Sequence, residues 1–318
     1  MSKATQKVYA GILQEVLAGL QKPQKFLSSK FFYDERGSEL FEEITGLQEY
    51  YPTRTEHKIL EQNIEQIAKA IGPESVIIEP GSGSSKKTRF LLNHLPDISA
   101  YVPVEISQKY LSKVVQELRE DYPSLLIKPV CADYTQPFQL PEIDKPFDYY
   151  VVFYPGSTIG NFQPDKARNF LKLLSNFMVP GGGLLIGVDL KKDTRILEAA
   201  YNDSKGITAA FNKNILVRFN HELDANFDMD AFNHHAFYNE EKSRIEMHLV
   251  SRSKQSVHID GKLIPFEKGE SIHTENSYKY SIGDFKALVS DWFDVEKVWT
   301  DEDDLFSVQY LVKKRNTD

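Results

Sequence analysis

Carboxylates follow three successive short apolar runs in the first half of this chain: Glu79 closes 75–79, Glu105 closes 100–105 and Asp133 follows 125–132. The first run leads into Pro80-Gly81-Ser82-Gly83-Ser84-Ser85, small residues that let a backbone approach a ligand closely where a strand turns into a helix. Glu105 stands 22 residues beyond Gly83, near the roughly 20 at which a carboxylate meets ribose hydroxyls after such a turn. With Asp133 after the third run and Gly156 to Asn161 after the fourth, these residues point to a nucleoside ligand. A phosphate-cradling P-loop requires glycine where Lys86 stands, and a dinucleotide fingerprint requires its third glycine at about Ser84. Glu79, just before the turn, would also repel a pyrophosphate. A ligand without phosphate suits the turn better, and S-adenosylmethionine is one, carrying a sulfonium, an amino acid end and an adenosine.

Residues so placed need a scaffold. Apolar runs at 75–79, 100–105, 125–132, 147–154 and 184–190 alternate with helical patterns at 87–94, 108–122 and 164–178. That alternation predicts a parallel sheet covered on both faces, with ligands at the carboxyl ends of its strands. Upstream, Val8, Ile12, Val16 and Leu20 predict an amphipathic helix that stops before Pro23, and Ile59, Leu60, Ile64, Ile67, Ala68 and Ile71 predict a helix over 56–71. Between them, 24–60 crowds aromatics and charges into short segments broken at Gly37, Gly46 and Pro52. Beyond 194 the texture changes to helices at 194–200 and 207–223, then antiparallel strands at 236–239, 244–250, 256–259 and 262–266, with Asp260-Gly261 as a hairpin turn. A helix over 282–290 and strands over 295–299 and 305–313, joined by the acidic turn Asp301 to Asp304, bring the chain back to the first sheet.

The composition narrows the function classes. At 318 residues, 41% hydrophobic and 26% charged, the chain has the balance and length of about two globular domains. A net charge of −8 opposes phosphate-backbone binding. No apolar stretch approaches the roughly 20 residues that cross a bilayer, and 1–24 lacks the apolar core of a signal peptide. The expectation is a cytoplasmic enzyme or binding protein that engages neither membrane nor nucleic acid. One cysteine, Cys131, excludes an intramolecular disulfide and a cysteine-based zinc cluster. Asp224, Asn226, Asp228 and Asp230 imitate a calcium loop, yet Met229 and His235 stand where glycine and glutamate are required. His234 and His235 have no spacing to a third ligand, so no metal is expected. Ser157 is not a nucleophile elbow, because Ile159 replaces the final glycine.

The segments FYDERGSELFEEIT, EYYPTRTE, EPGSGSSKKT, YPGSTIGNF and IHTENSYKY resemble the L-histidine Nα-methyltransferase family of ergothioneine biosynthesis, over almost the entire chain from about residue 26. The resemblance implies an α/β fold: a class I methyltransferase, Rossmann-like sheet with an antiparallel terminal hairpin, plus a second α+β domain that closes over an amino acid substrate. It divides the chain into 1–60 and 194–280 for the substrate domain and 61–193 and 281–318 for the methyltransferase core. It implies S-adenosylmethionine as cofactor, held by Gly81, Gly83, Lys87, Glu105, Asp133 and Tyr134. The family often has aspartate where this chain has Glu105, and either carboxylate accepts two ribose hydroxyls. The implied L-histidine site comprises Tyr51, Gly156, Asn161, Tyr201, Met247, Glu275 and Ser277, with Tyr33 and Phe41 facing the amine and Tyr33 as proton relay. The implied reaction moves three methyl groups to the α-amine, giving the betaine hercynine.

The residue chemistry agrees. Asn161 and Tyr201 donate hydrogen bonds to a carboxylate without adding full charge to a site that holds a sulfonium. Glu275 and Ser277, two apart, share one side of an extended strand and can both meet an imidazole. Met247 alternates with Ile245 and Leu249, a core pattern. The rival readings are the same reaction on another aromatic amino acid such as tryptophan, a non-catalytic cofactor-binding protein, and a nucleic-acid methyltransferase. A buried Glu275 disfavours the first, the complete polar set the second, and Tyr154-Pro155-Gly156 together with the net charge the third.

Overall fold

Every position of Ser75–Pro80 and of Gly183–Asp189 is buried, the mark of strands covered on both faces. They belong to a seven-stranded sheet whose order is Phe293–Thr300, Phe306–Lys313, Gly183–Asp189, Tyr149–Tyr154, Ser75–Pro80, Ala100–Glu105 and Val130–Cys131 in the computed structural model, which describes residues 3–83, 86–95 and 97–315. Neighbours are parallel except along Phe306–Lys313, which runs antiparallel to both of its partners. Ser84 and Ser85 of the small-residue turn lie outside the described residues, as does the side chain of Val8.

The chain divides into two compact units, Met1–Tyr51 with Lys192–Tyr278 and Pro52–Lys191 with Lys279–Asp318. The second unit holds the seven-stranded sheet, and helix Tyr51–Ile71 belongs to it in all but its first residue. Ile59, Leu60, Ile67 and Ile71 of that helix join Ile77, Tyr101, Val151 and Leu185 of the strands in one core cluster. The first unit holds a four-stranded sheet in the order Lys25–Phe26, Ser271–Tyr278, Arg244–Ser251 and Phe232–Asn239, and a separate hairpin of Gln255–Ile259 with Lys262–Phe266. Asp260 and Gly261 turn that hairpin with φ of 46° and 73°, the double left-handed geometry that an Asp-Gly pair adopts readily.

Three expectations are corrected. The strand read over 125–132 pairs regularly only at Val130–Cys131: Tyr101 N–H donates to the Leu126 carbonyl and Lys128 N–H to the Tyr101 carbonyl, but Pro103, next in that alternation, has no N–H to give Lys128, so Ile127 makes only a lone bridge to Tyr101. Gly37 does not break the chain but lies in helix Glu35–Thr45, where a Cβ would stand 1.7 Å from the Phe32 carbonyl oxygen. Asp34 caps that helix by accepting the Gly37 N–H at 2.7 Å. Pro52 likewise lies in the first turn of Tyr51–Ile71, where proline is tolerated.

Candidate cofactor and substrate sites

In the unit of the larger sheet, Glu79 sits 3% exposed beneath the turn, its Oε2 accepting from Thr88 Oγ1 and from the Tyr101 hydroxyl, each at 2.5 Å. Burial pushes its pKa up to about 7, against the pull of those two donors and of the Lys87 charge. Gly81 and Gly83 take φ of 70° and 46°, and a Cβ on Gly81 would come within 3.1 Å of the Tyr134 ring. The glycine is therefore required twice, by backbone conformation and by close approach. Glu105 ends its strand half-buried and accepts the Ile106 N–H at 2.8 Å. Burial raises its pKa, while the N–H groups of Ile106, Ser107 and Gly83 draw it down. Asp133 accepts from the Thr135 N–H at 3.0 Å and its hydroxyl at 2.6 Å, both on Oδ1. Tyr134 packs near Tyr154 and Phe170, with ring centroids 6.2 and 5.9 Å away, and burial pushes its hydroxyl up to about 12.

Lys87 and Gly156 are joined by a residue that neither motif nor periodicity singled out. Glu56, 1% exposed, takes the Lys87 ammonium on Oε2 and the Gly156 N–H on both oxygens, at 2.8 and 3.0 Å. Because that N–H is committed to Glu56, Gly156 has its carbonyl, an acceptor, with which to meet a substrate's polar group. Glu56 was legible in one respect: it stands three and four residues before Ile59 and Leu60, on the apolar stripe of its helix, where a charge is out of place. Asn161 ends the 3-10 turn Thr158–Asn161 that follows Gly156, half-buried.

In the other unit, Tyr201 closes helix Thr194–Tyr201 and donates its hydroxyl to Ser277 Oγ at 2.8 Å. Glu275 lies opposite Met247 across two antiparallel strands, with Ser277 opposite Ile245. Met247 is 1% exposed and Glu275 half-buried, so the methionine is a packed wall and the carboxylate keeps an accessible side. His234 buttresses this corner: Asn212 Nδ2 donates to its Nδ1 at 2.9 Å, leaving Nε2–H to donate to the Tyr201 carbonyl at 2.8 Å. Burial lowers the His234 pKa, in keeping with a neutral ring. Tyr51 is buried, and its hydroxyl accepts from Lys192 Nζ at 2.7 Å.

Tyr33, 47% exposed, begins a chain of ring contacts that passes through Phe41 at 5.8 Å and Tyr50 at 6.4 Å to Tyr201 at 6.2 Å. Phe211 touches both Tyr33 and Phe41, a participant that helical periodicity could only assign to the core. The run after 224 serves structure: Asp228 caps the 3-10 turn Met229–Ala231, and Asn226 ties the segment to strand Gln255–Ile259 by accepting from the His258 N–H at 2.7 Å. On the four-stranded sheet, Glu246, His248 and His273 bring possible metal-ligating atoms within 4.8 Å of one another. Glu246 is already engaged there by Arg244, at 2.8 and 2.6 Å, by Asn239 at 3.0 Å and by His248 at 3.1 Å.

A mostly parallel sheet with an antiparallel next-to-edge strand, a glycine turn after the interior strand Ser75–Pro80 and a carboxylate at the end of its neighbour Ala100–Glu105 define a class I methyltransferase dependent on S-adenosylmethionine. The sequence profile described as histidine-specific, SAM-dependent methyltransferase matches residues 12–313, and the chain belongs to that family. It is 39% identical over 314 residues to the histidine N-alpha-methyltransferase of Mycobacterium tuberculosis, covering 96% of each chain. With the enzyme of the same name from Mycolicibacterium smegmatis the identity is 40% over 273 residues, 84% of each. It is also similar to ergothioneine biosynthesis protein 1 of Schizosaccharomyces pombe, 28% identical over 275 residues that make up 83% of this chain and 35% of that protein. The protein is an N-methyltransferase, and its cofactor is S-adenosylmethionine. The donor set fits that cofactor: a cradle that a Cβ on Gly81 would fill, and a carboxylate, Glu105, at a strand end.

Proposed function

We propose that the protein transfers three methyl groups to the α-amine of L-histidine, giving Nα,Nα,Nα-trimethylhistidine (hercynine), as a step of ergothioneine biosynthesis. The observation that carries this reading is the grouping of Tyr201, Ser277, Met247 and Glu275 in one unit, with Tyr201 bonded to Ser277 at 2.8 Å and Glu275 facing Met247 across the strands. Polar groups and an apolar wall are what a flat ring with an N–H edge requires.

When bound, S-adenosylmethionine supplies an electrophilic methyl group on a sulfonium. The residues of this chain hold and orient. Gly81 and Gly83 admit the amino acid end of the cofactor, Lys87 meets its carboxylate, Glu105 takes the ribose hydroxyls, and Asp133 and Tyr134 flank the adenine. Asn161 donates to the histidine carboxylate, as does Tyr201 once its single hydroxyl proton turns from Ser277 to the ligand, Tyr51 completes that side, and Glu275 with Ser277 accepts the imidazole N–H. The carbonyl of Gly156 faces the amine, which must be neutral to attack. Alignment of nucleophile and methyl supplies most of the rate. Tyr33, at the exposed end of the aromatic chain, passes the released proton to water, and the rings beside it stabilise the growing cation by about 0.5 to 2 kcal/mol.

The test is mass spectrometry of the purified protein with S-adenosylmethionine and all twenty amino acids. The expected result is a gain of three methyl groups on histidine alone, with nuclear magnetic resonance placing them on the α-nitrogen. Ring methylation, or a product that stops at one methyl under excess cofactor, would falsify the reading.

A further inference from the structure

Glu56 is a buried charge that the substrate and cofactor assignments leave unused. Its helix, Tyr51–Ile71, packs Ile59 and Leu60 into the core of the larger sheet, and the same stripe carries the Glu56 carboxylate inward. Three neighbours fix it. The Lys87 ammonium lies against Oε2, the Gly156 N–H points at both oxygens, and Gly187 leaves the space that Oε1 fills, since a Cβ there would stand 1.9 Å from it. A carboxylate with this exposure is tolerated only where it is paired and hydrogen-bonded, and both conditions are met. The arrangement joins the end of strand Tyr149–Tyr154 to the start of helix Lys86–Leu92, the two places where the sheet presents its ligand-binding end.

We propose that Glu56 is the positioning residue of the cofactor site: it orients the Lys87 ammonium toward the cofactor carboxylate and turns the Gly156 peptide so that its carbonyl serves the substrate amine. This rests on the assignment of Lys87 to the cofactor made above. Without the Glu56 charge, Lys87 has Glu79 as its other nearby acid, which lies under the turn and is half-protonated near neutrality. The ammonium would then be drawn beneath the site instead of into it.

The experiment is a double-mutant cycle read by calorimetric binding of S-adenosylmethionine, with kinetics on histidine and thermal unfolding alongside. Glu56→Gln keeps an oxygen to accept the Gly156 N–H but cannot pair with an ammonium. It should raise the cofactor Kd about tenfold and the histidine KM by less than threefold. Lys87→Gln should raise the cofactor Kd at least as much, and the double variant should bind within about twofold of Lys87→Gln, because Glu56 acts through Lys87. A role in folding alone would instead lower the melting temperature and the active fraction at unchanged Kd, and an effect on Kd independent of Lys87 would multiply with that of Lys87→Gln in the double variant. That outcome overturns the proposal. If Glu56→Gln does not fold, Glu56→Asp, which keeps the charge but withdraws it by one methylene, takes its place with the same non-additivity expected. Unchanged affinity in Lys87→Gln removes Lys87 from the cofactor site and the proposal with it. A loss in Lys87→Gln with none in the Glu56 variants overturns the role of Glu56 and leaves the cofactor assignment standing.

Discussion

Glu79 holds its proton to about pH 7 because it is buried, although Thr88 and Tyr101 both donate to it. The folded state therefore binds that proton more tightly than the unfolded chain between the ordinary value of 4.5 and about 7. Its contribution to stability is full below that window and falls as pH rises through it, by at most about 1.4 kcal/mol per unit. Glu79→Gln keeps an acceptor for both hydroxyls and removes the titration. Its melting temperature relative to the parent should rise between pH 5 and pH 8; a difference constant with pH would show that Glu79 does not titrate in the fold. Glu275 is a different kind of carboxylate, half-buried and opposite Met247. Removing it should cost roughly 2 kcal/mol in transition-state binding of histidine, and adding Met247→Val should open room for an indole. Measured as kcat/KM, the histidine-to-tryptophan ratio of the double variant should fall well beyond threefold. A ratio within threefold would mean that the imidazole is not read here. Glu275 was legible because it stands in a long motif that resembles the family, whereas Glu56 ends another such motif unnoticed. Its place on an apolar stripe marks it as a buried charge, but partners 31 and 100 positions away, Lys87 and Gly156, leave no local pattern that names them.

The elements that hold these residues were legible where apolar periodicity is uninterrupted. The strands Ala100–Glu105 and Lys262–Phe266 begin and end where the sequence places them. Ser271–Tyr278, in contrast, carries His273, Thr274, Glu275, Asn276 and Ser277 in a row, so that Glu275 and Ser277 can be read on one side of an extended strand but no apolar alternation marks its bounds or its interior place in the sheet. Helix Glu35–Thr45 was hidden by Gly37, whose reason is the Phe32 carbonyl and not a turn. The cap of that helix has a functional consequence. Asp34 accepts both the Gly37 N–H at 2.7 Å and Asn214 Nδ2 at 2.8 Å, fixing the helix that carries Phe41 against the one that carries Phe211. Asp34→Ala should destabilise this unit by about 1 to 2 kcal/mol and raise the histidine KM. The cofactor Kd should stay unchanged, because every residue assigned to the cofactor lies in the other unit. A calorimetric change in cofactor affinity as large as the change in KM would contradict this division of labour.

At the scale of the molecule, both units are discontinuous, because the chain passes from one to the other after residue 51, leaves the sheet's unit after residue 191 and returns to it at 279. The two points of departure are tied together within the sheet's own unit. Lys191 N–H donates to the Tyr280 carbonyl at 3.0 Å, Tyr280 N–H to the Asp189 carbonyl at 3.2 Å, and Leu190 bridges Tyr280. Lys279 and Asp189, both wholly buried, form an ion pair at 2.7 Å. Breaking such a pair costs about 3 to 5 kcal/mol, so the junction is held whether or not the inserted residues are present. The excursion from 192 to 278 thus closes a loop whose ends already meet. A shortened chain, 52–191 joined to 279–318 through two glycines, should fold with a cooperative thermal transition. It keeps Gly81, Gly83, Lys87, Glu105, Asp133, Tyr134 and Glu56, and it should bind S-adenosylmethionine within about tenfold of the full protein, a loss of no more than about 1.4 kcal/mol. It lacks Tyr201, Met247, Glu275 and Ser277 and should methylate no amino acid. Calorimetry together with thermal unfolding decides the matter. A folded shortened chain that binds no cofactor would show that the second unit takes part in holding it, and the assignment of the cofactor to the sheet alone would fall.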